Sequence, residues 1–154
     1  MKCCDYLQDI FLDASLPDKE AVLRFIADAC VQKGVAKNAA QIYEGLENRE
    51  KTMSTGVGEG LAFPHTVSLE AKDAAVFLIG LAEPIDFEAL DDQPVDTIMA
   101  LVVPENKTTL HLRLLARISR LCKNPVFIQT IRQADNAEKL LAEIRKFEDE
   151  MTFS

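Results

Sequence analysis

Two short apolar runs, AAVFLIGLA at 74–82 and TIMALVVP at 97–104, most limit what this chain can fold into. Each is too long in unbroken hydrophobicity for a half-solvated strand and too short for a membrane span of ~20 residues. Bounded by turn signals, the stretches 74–81 and 95–103 read as strands buried on both faces. Such strands need a layer of helices on either side, and the rest of the chain supplies helical patterns. In 18–33, Val22, Phe25, Ile26, Ala29 and Cys30 share one helical face, with Pro17 before and Gly34 after as start and stop signals. Asn38 opens a second helix, with Gln41 in the capping-box position and Ile42 and Leu46 on its apolar side. It fades near Lys51 and leaves Arg49 and Glu50 in the last turn. Pro84 and DDQP punctuate the link between the two strands. Thr108 or Thr109 caps a long helix to Lys123, 125–133 forms a short one, and Asn136 caps a last one. Helices alternating with strands predict an α/β or α+β fold with a sheet sandwiched by helices.

At 154 residues the chain is expected to form one domain, 1–154. Its 17 basic and 25 acidic residues give a net charge of −8, which argues against non-specific nucleic-acid binding despite four positive residues between Arg113 and Lys123. The opening MKCCDYLQDIFLD lacks the apolar core of a signal peptide, so a cytoplasmic protein with no membrane insertion is expected. Cys3, Cys4, Cys30 and Cys122 show no CxxC spacing and read as free thiols in a reducing compartment.

The stretch TGVGEGLAFPHT, 55–66, is where chemistry concentrates. It is not a dinucleotide fingerprint: the third glycine comes one position early and a helix end precedes it. No G-x-x-x-x-G-K-[ST] loop and no G-x-S-x-G elbow is present. The glycines allow a tight turn and close backbone approach. Pro64 fixes its own φ and biases Phe63 toward an extended conformation, so His65 leaves a short extended segment on a stiffened backbone. Such an imidazole suits a nucleophile or a metal ligand. The local sequence alone favours the plainer reading, a polar loop residue after a turn. The other histidine, His111, shares a helical face with Leu114, Leu115, Ile118 and Cys122, on the buried side near the helix start. It is either a core histidine bonded to a carbonyl or a residue facing a site beyond the strand ends. Two histidines without HxxxH spacing are a weak zinc signal, and Cys122 lies three turns from His111, too far for a Cys–His nucleophile pair.

Three segments together resemble a family. LENREKTMSTGVGEGLAFPHT is similar to the active-site region of enzyme IIA of the fructose/mannitol class of the bacterial phosphoenolpyruvate-dependent phosphotransferase system. PIDFEALDDQPVDTIMALVVP resembles that family's middle strand region, and HLRLLARISRLCKN the helix that follows it. The likeness runs from about residue 16 to 147, in the family's order. It implies a three-layer α/β/α sandwich with a mixed, mostly parallel central sheet flanked by helices. It implies that His65 accepts a phosphoryl group as a phosphohistidine, with Arg49 and His111 as site partners and Thr55, Gly56, Gly58, Glu59, Gly60 and Pro64 as phosphate support. The implied donor is the phosphocarrier HPr or its nitrogen-regulatory counterpart. No metal or cofactor is implied. Thr66 departs from the Gly or Ala that usually follows the histidine, and its β-branch restricts the backbone there. The Arg-Glu-Lys, Ser-Thr-Gly and Gln-Pro-Val-Asp wording resembles nitrogen-regulatory IIA proteins, which regulate target proteins by binding them. TVSLEAKD resembles the mannitol type, which passes phosphate to a IIB domain. A binding module without phosphotransfer is the alternative of another class, and a metal-dependent hydrolase would need ligands the sequence does not offer.

Overall fold

The computed structural model describes residues 2–151. The two apolar runs form the centre of its sheet, as β5 (Ala75–Ile85) and β6 (Val95–Pro104), paired antiparallel with Ile79 opposite Ile98 and Ala75 opposite Val102. Period-two alternation sends their side chains to two cores. Ala75, Phe77, Ile79, Ile98, Ala100 and Val102 face one; Val76, Leu78, Met99, Leu101 and Val103 face the other. This is why the runs are apolar without a polar alternate. Each fully buried Phe, Leu, Ile or Val among them contributes roughly 1.5–3 kcal/mol.

The first core is covered by α1 (Lys19–Gln32) and α2 (Ala39–Thr52), through Val22, Ile26, Ile42 and Leu46. The second is covered by α3 (Thr108–Cys122), α4 (Pro125–Gln133) and α5 (Ala137–Met151), through Leu114, Ile118, Phe127, Ile131, Leu140 and Ile144. The expected three-layer α/β/α architecture is therefore present. β1 (Leu7–Ala14), β2 (Gly56–Gly58), β3 (Leu61–Ala62) and β4 (His65–Ser68) complete the sheet, whose strand order is β1-β5-β6-β3-β2, with β4 also on β6. The β1–β5, β3–β6 and β4–β6 pairings are parallel and the β2–β3 and β5–β6 pairings antiparallel, so the sheet is mixed and mostly parallel.

The helix starts follow their caps. The side chains of Asp18, Asn38, Asn124 and Asn136 accept from the N–H groups of Ala21, Ala40, Val126 and Lys139 at 2.8–3.0 Å. At α3 neither threonine caps. Lys107 holds the cap position with no side-chain bond, and Thr108 is already helical. The expected break at Pro84 also moves: β5 runs through it to Ile85. Pairing with β6 is irregular between Gly80 and Ile85 and Pro84 is exposed there, so the missing N–H removes no ladder bond.

One buried carboxylate ties three elements. Glu148 of α5 accepts from the backbone N–H groups of Cys3 (2.8 Å) and Cys4 (2.7 Å) and from Arg117 Nε of α3 (2.6 Å). The four cysteines form no disulfide, and burial pushes the Cys4, Cys30 and Cys122 thiols up to about 12, which leaves them poor nucleophiles.

Candidate functional site

β3 and β4 are one strand line along β6, interrupted once. Ala62 lies opposite Ile98 and His65 opposite Leu101, so the register is unchanged across the break. Phe63 and Pro64 occupy the gap. Proline has no N–H to give, but its carbonyl accepts from Leu101 N–H at 2.9 Å, which keeps the line attached to β6. β2 pairs beside β3 and stops there, and β4 pairs only with β6. The sheet edge is therefore open from His65 onward. Residues from helices on both faces can reach one imidazole at such an edge.

They do. Arg49, in the last turn of α2 on one face, donates from Nε to His65 Nε2 at 3.2 Å. Its Nη1 donates to the Met53 carbonyl at 2.7 Å, which pins the guanidinium over the helix end. His111, in the first turn of α3 on the other face, stacks edge-on against His65 with ring centroids 5.3 Å apart and planes at 65°. The third contact is His65 Nδ1 with the Phe63 carbonyl at 2.8 Å.

These contacts fix the tautomer. A carbonyl only accepts, so Nδ1 carries the proton; a guanidinium N–H only donates, so Nε2 carries the lone pair. Burial holds His65 below the usual histidine range. The Phe63 carbonyl and Glu50 work against that shift, and the positive charge of Arg49 works with it. His111 is held low by burial and then by its neighbour His65. At neutral pH the site presents a neutral imidazole with an unprotonated Nε2, beside a fixed cation. That pairing suits attack by nitrogen on an electrophile carrying negative charge. Among the described residues no group of three or more His, Cys, Asp or Glu side chains is placed to hold a metal ion.

The remaining residues expected at the site divide. Pro64 adjoins His65 in the strand break. Thr55 is buried, and its carbonyl accepts from Phe63 N–H at 3.0 Å. The glycines form the β2–β3 hairpin turn, where Gly58, Glu59 and Gly60 all have positive φ (110°, 57° and 80°). A Cβ at Gly56 would stand 2.9 Å from Ala89 Cα, and one at Gly60 would stand 2.6 Å from Arg132 Nη2. The Glu59 N–H donates to Asp91 Oδ2 at 3.0 Å, and its carbonyl accepts from Arg132 at 2.6 Å. The glycines thus let the turn close against the segment 86–92 and α4.

Two relations were missed by the sequence reading. Thr66 is accommodated by Gly45 on α2, where a Cβ would stand 2.5 Å from Thr66 Oγ1. The unusual residue after His65 is matched by a missing side chain across from it, and a glycine inside an otherwise regular helix was the signal. The second is Glu50, buried beside Arg49. Its carboxylate accepts from Thr55 N–H at 3.0 Å and from the Thr55 hydroxyl, and pairs with Lys19 Nζ at 2.9 Å. The sequence offered Glu50 only as the neighbour of Arg49, and nothing pointed to Lys19.

The chain is similar to known proteins over most of its length. The family model described as phosphoenolpyruvate-dependent sugar phosphotransferase system, EIIA 2, matches residues 7–147. A nitrogen regulatory protein of Pseudomonas aeruginosa is 37% identical over 122 residues, 79% of this chain and 79% of that one. The crystal structure of nitrogen regulatory protein IIA-Ntr from Neisseria meningitidis superposes with a TM-score of 0.84 at 29% identity, over 92% of this chain and 97% of that one. The crystal structure of IIA mannitol from Escherichia coli shares the fold, with a TM-score of 0.76 at 18% identity, over 89% of this chain and 96% of that one.

Proposed function

The chain belongs to the EIIA 2 family of the phosphoenolpyruvate-dependent sugar phosphotransferase system, and we propose that it acts as a one-domain phosphocarrier in a nitrogen-regulatory relay. In this reading His65 accepts the phosphoryl group on Nε2 from HPr or its nitrogen-regulatory counterpart, in the cytoplasm. No helix among the described residues is long and apolar enough to cross a membrane. The observation that carries the reading is the fixed tautomer: Nδ1–H is tied to the Phe63 carbonyl and the Nε2 lone pair points toward Arg49.

The steps follow from these contacts. The Nε2 lone pair attacks phosphorus in line with the departing donor nitrogen. A P–N bond forms at His65 as the donor's P–N bond breaks, and its electron pair stays on the donor imidazole. Arg49 Nε gives up Nε2 and turns to the phosphoryl oxygens, while Nη1 on the Met53 carbonyl keeps the guanidinium in place. Nδ1–H stays on the Phe63 carbonyl, so the positive charge developing on the ring faces a carbonyl dipole. His111, against the same ring, can donate to a phosphoryl oxygen or hold His65 in position. Pro64 and Thr55 support the site by fixing the backbone on which His65 and Phe63 sit, and Gly56, Gly58, Glu59 and Gly60 by closing the adjoining turn.

The exposed apolar side chains of Met53, Val67, Leu69 and Leu112 adjoin this machinery in the chain: Met53 at the Arg49 anchor, Val67 and Leu69 after His65, Leu112 beside His111. They suit a small, transient docking face for the donor. The test is incubation with phosphoenolpyruvate, enzyme I and HPr, read by intact mass. One acid-labile phosphoryl group is expected on the protein, none on His65→Ala, and a slower but complete reaction on His111→Ala. Labelling that survives His65→Ala and vanishes in His111→Ala would reverse the roles.

A further inference from the structure

Resting on the phosphocarrier reading, we propose that Glu50 is a positioning residue for His65, acting through Thr55 and the Phe63 carbonyl, with Lys19 holding it in place. The links are continuous. Lys19 Nζ stands 2.9 Å from Glu50 Oε1. That oxygen accepts from Thr55 N–H at 3.0 Å, and Oε2 accepts from the Thr55 hydroxyl. Thr55 C=O accepts from Phe63 N–H at 3.0 Å, and Phe63 C=O accepts from His65 Nδ1–H at 2.8 Å. Both residues that shape the acceptor of the Nδ1 proton are therefore held from the α2 end. Arg49, one residue before Glu50, addresses the other nitrogen of the same ring. One helix terminus thus sets both nitrogens, one directly and one through three hydrogen-bonded links.

A neutral acceptor would hold Thr55 as well, and burying a carboxylate is unfavourable unless it is paired. Glu50 is only 8% exposed, and Lys19 is shared with Glu88 at 3.8 Å and with the Phe87 ring at 5.0 Å. The negative charge has a use in the transfer step. When Nε2 bonds to phosphorus and Nδ1 keeps its proton, the ring becomes cationic, and a buried carboxylate nearby stabilises that state. Glu50 touches neither substrate nor the reacting atoms. Its contribution is orientation of the ring and the field at it.

Glu50→Gln in the full-length protein removes the charge and one acceptor. With histidine ¹⁵N-labelled, the long-range ¹H–¹⁵N correlation of His65 is expected to show a single Nδ1–H tautomer in the wild type and a tautomer mixture in the variant. The His65 titration should move to lower pH. The phosphorylation rate at saturating phospho-HPr should fall about tenfold, with the KM for the donor unchanged. Thr55→Val, which loses only the hydroxyl, should move all three readouts the same way by less, and Thr55→Ser should restore them. A folded Glu50→Gln with unchanged tautomer, titration and rate overturns the proposal. If that variant does not fold, a Thr55→Val indistinguishable from wild type overturns it. A wild type that takes no phosphoryl group, while the ring signals still shift in Glu50→Gln, would uphold the tether and overturn the phosphocarrier reading instead.

Discussion

Replacing Arg49 by lysine separates what its charge does from what its shape does. The guanidinium is held twice, by Nη1 on the Met53 carbonyl at 2.7 Å and by Nε on His65 Nε2 at 3.2 Å. Lysine carries one ammonium on a flexible stem, so it can satisfy the helix end or the site, not both in a fixed fork. During the proposed transfer the phosphoryl group carries negative charge on three oxygens, and the fork would supply a charge-assisted hydrogen bond worth about 1.5–3 kcal/mol. At 1.36 kcal/mol per factor of ten, Arg49→Lys is expected to slow transfer roughly 10- to 100-fold. The fold should hold, because Arg49 is only partly buried. The pH profile adds a second readout. In the proposed transfer the nucleophile is neutral His65, whose protonation is held to lower pH than usual by burial and by Arg49. The rate should therefore persist as pH falls through the ordinary histidine range near 6.5 and be lost only below it. Arg49→Lys keeps the charge and should leave that acid limb in place; Arg49→Gln removes it and should move the limb upward. Rapid-quench transfer from phospho-HPr between pH 5 and 8, with melting curves as controls, measures both. A lysine variant within about twofold of wild type, or a glutamine variant with an unmoved acid limb, would refute the reasoning.

Glu148→Ala should destabilise the fold by about 3–5 kcal/mol in urea titrations, because it leaves Arg117 and two backbone N–H groups without their buried partner. Adding Arg117→Met should recover part of that loss, and a double variant no better than the single one would show that the pair is not what holds the N-terminal turn. Gly45→Ala should overpack Thr66 by about 1–3 kcal/mol, offset by a helix-propensity gain of about 1 kcal/mol, for a net loss of up to about 2 kcal/mol. In the Thr66→Ala background the same change should stabilise, and an unchanged effect there would disprove the compensation. Phosphorylated protein is expected to discharge slowly or not at all to purified fructose or mannitol IIB domains, and to differ from the unphosphorylated form in binding at least one non-transporter protein in pull-downs. Fast discharge with no such partner would assign the chain to the sugar branch.

What the sequence disclosed and what it hid have physical causes. The helices of both layers and the two central strands were legible because burial on both faces leaves unbroken apolar runs and capping leaves Asp or Asn at fixed offsets. β1 was not, since LQDIFLDA lies at the sheet edge and mixes Gln8, Asp9 and Asp13 with its apolar residues. β4 was hidden behind the turn-like glycines, and only its pairing with β6 makes it a strand. Helical phase alone placed His111 on the inward side near the start of α3. His65 looked like a loop residue until the family resemblance singled it out, because what distinguishes it is tertiary. It needs a strand line broken at Pro64, an open sheet edge and two helices converging from opposite faces. The tautomer was invisible for the same reason, since Phe63 O and Arg49 Nε are assigned to the ring by folding and not by spacing.

His111 lies in the first turn of α3. Its Nδ1 is the one buried side-chain polar atom among the described residues with no hydrogen-bond partner in the protein. A buried polar group left so is worth about 1–3 kcal/mol of lost stability, and an apolar residue on this face of α3 would avoid it. Local choices that disagree with the fold's own interest concentrate where function constrains them. The unpartnered atom belongs to the ring stacked on His65, which Arg49 also contacts, and not to the core around Leu114 and Ile118. In the proposed transfer, a phosphoryl group on Nε2 of His65 would bring new acceptor oxygens close to this second imidazole.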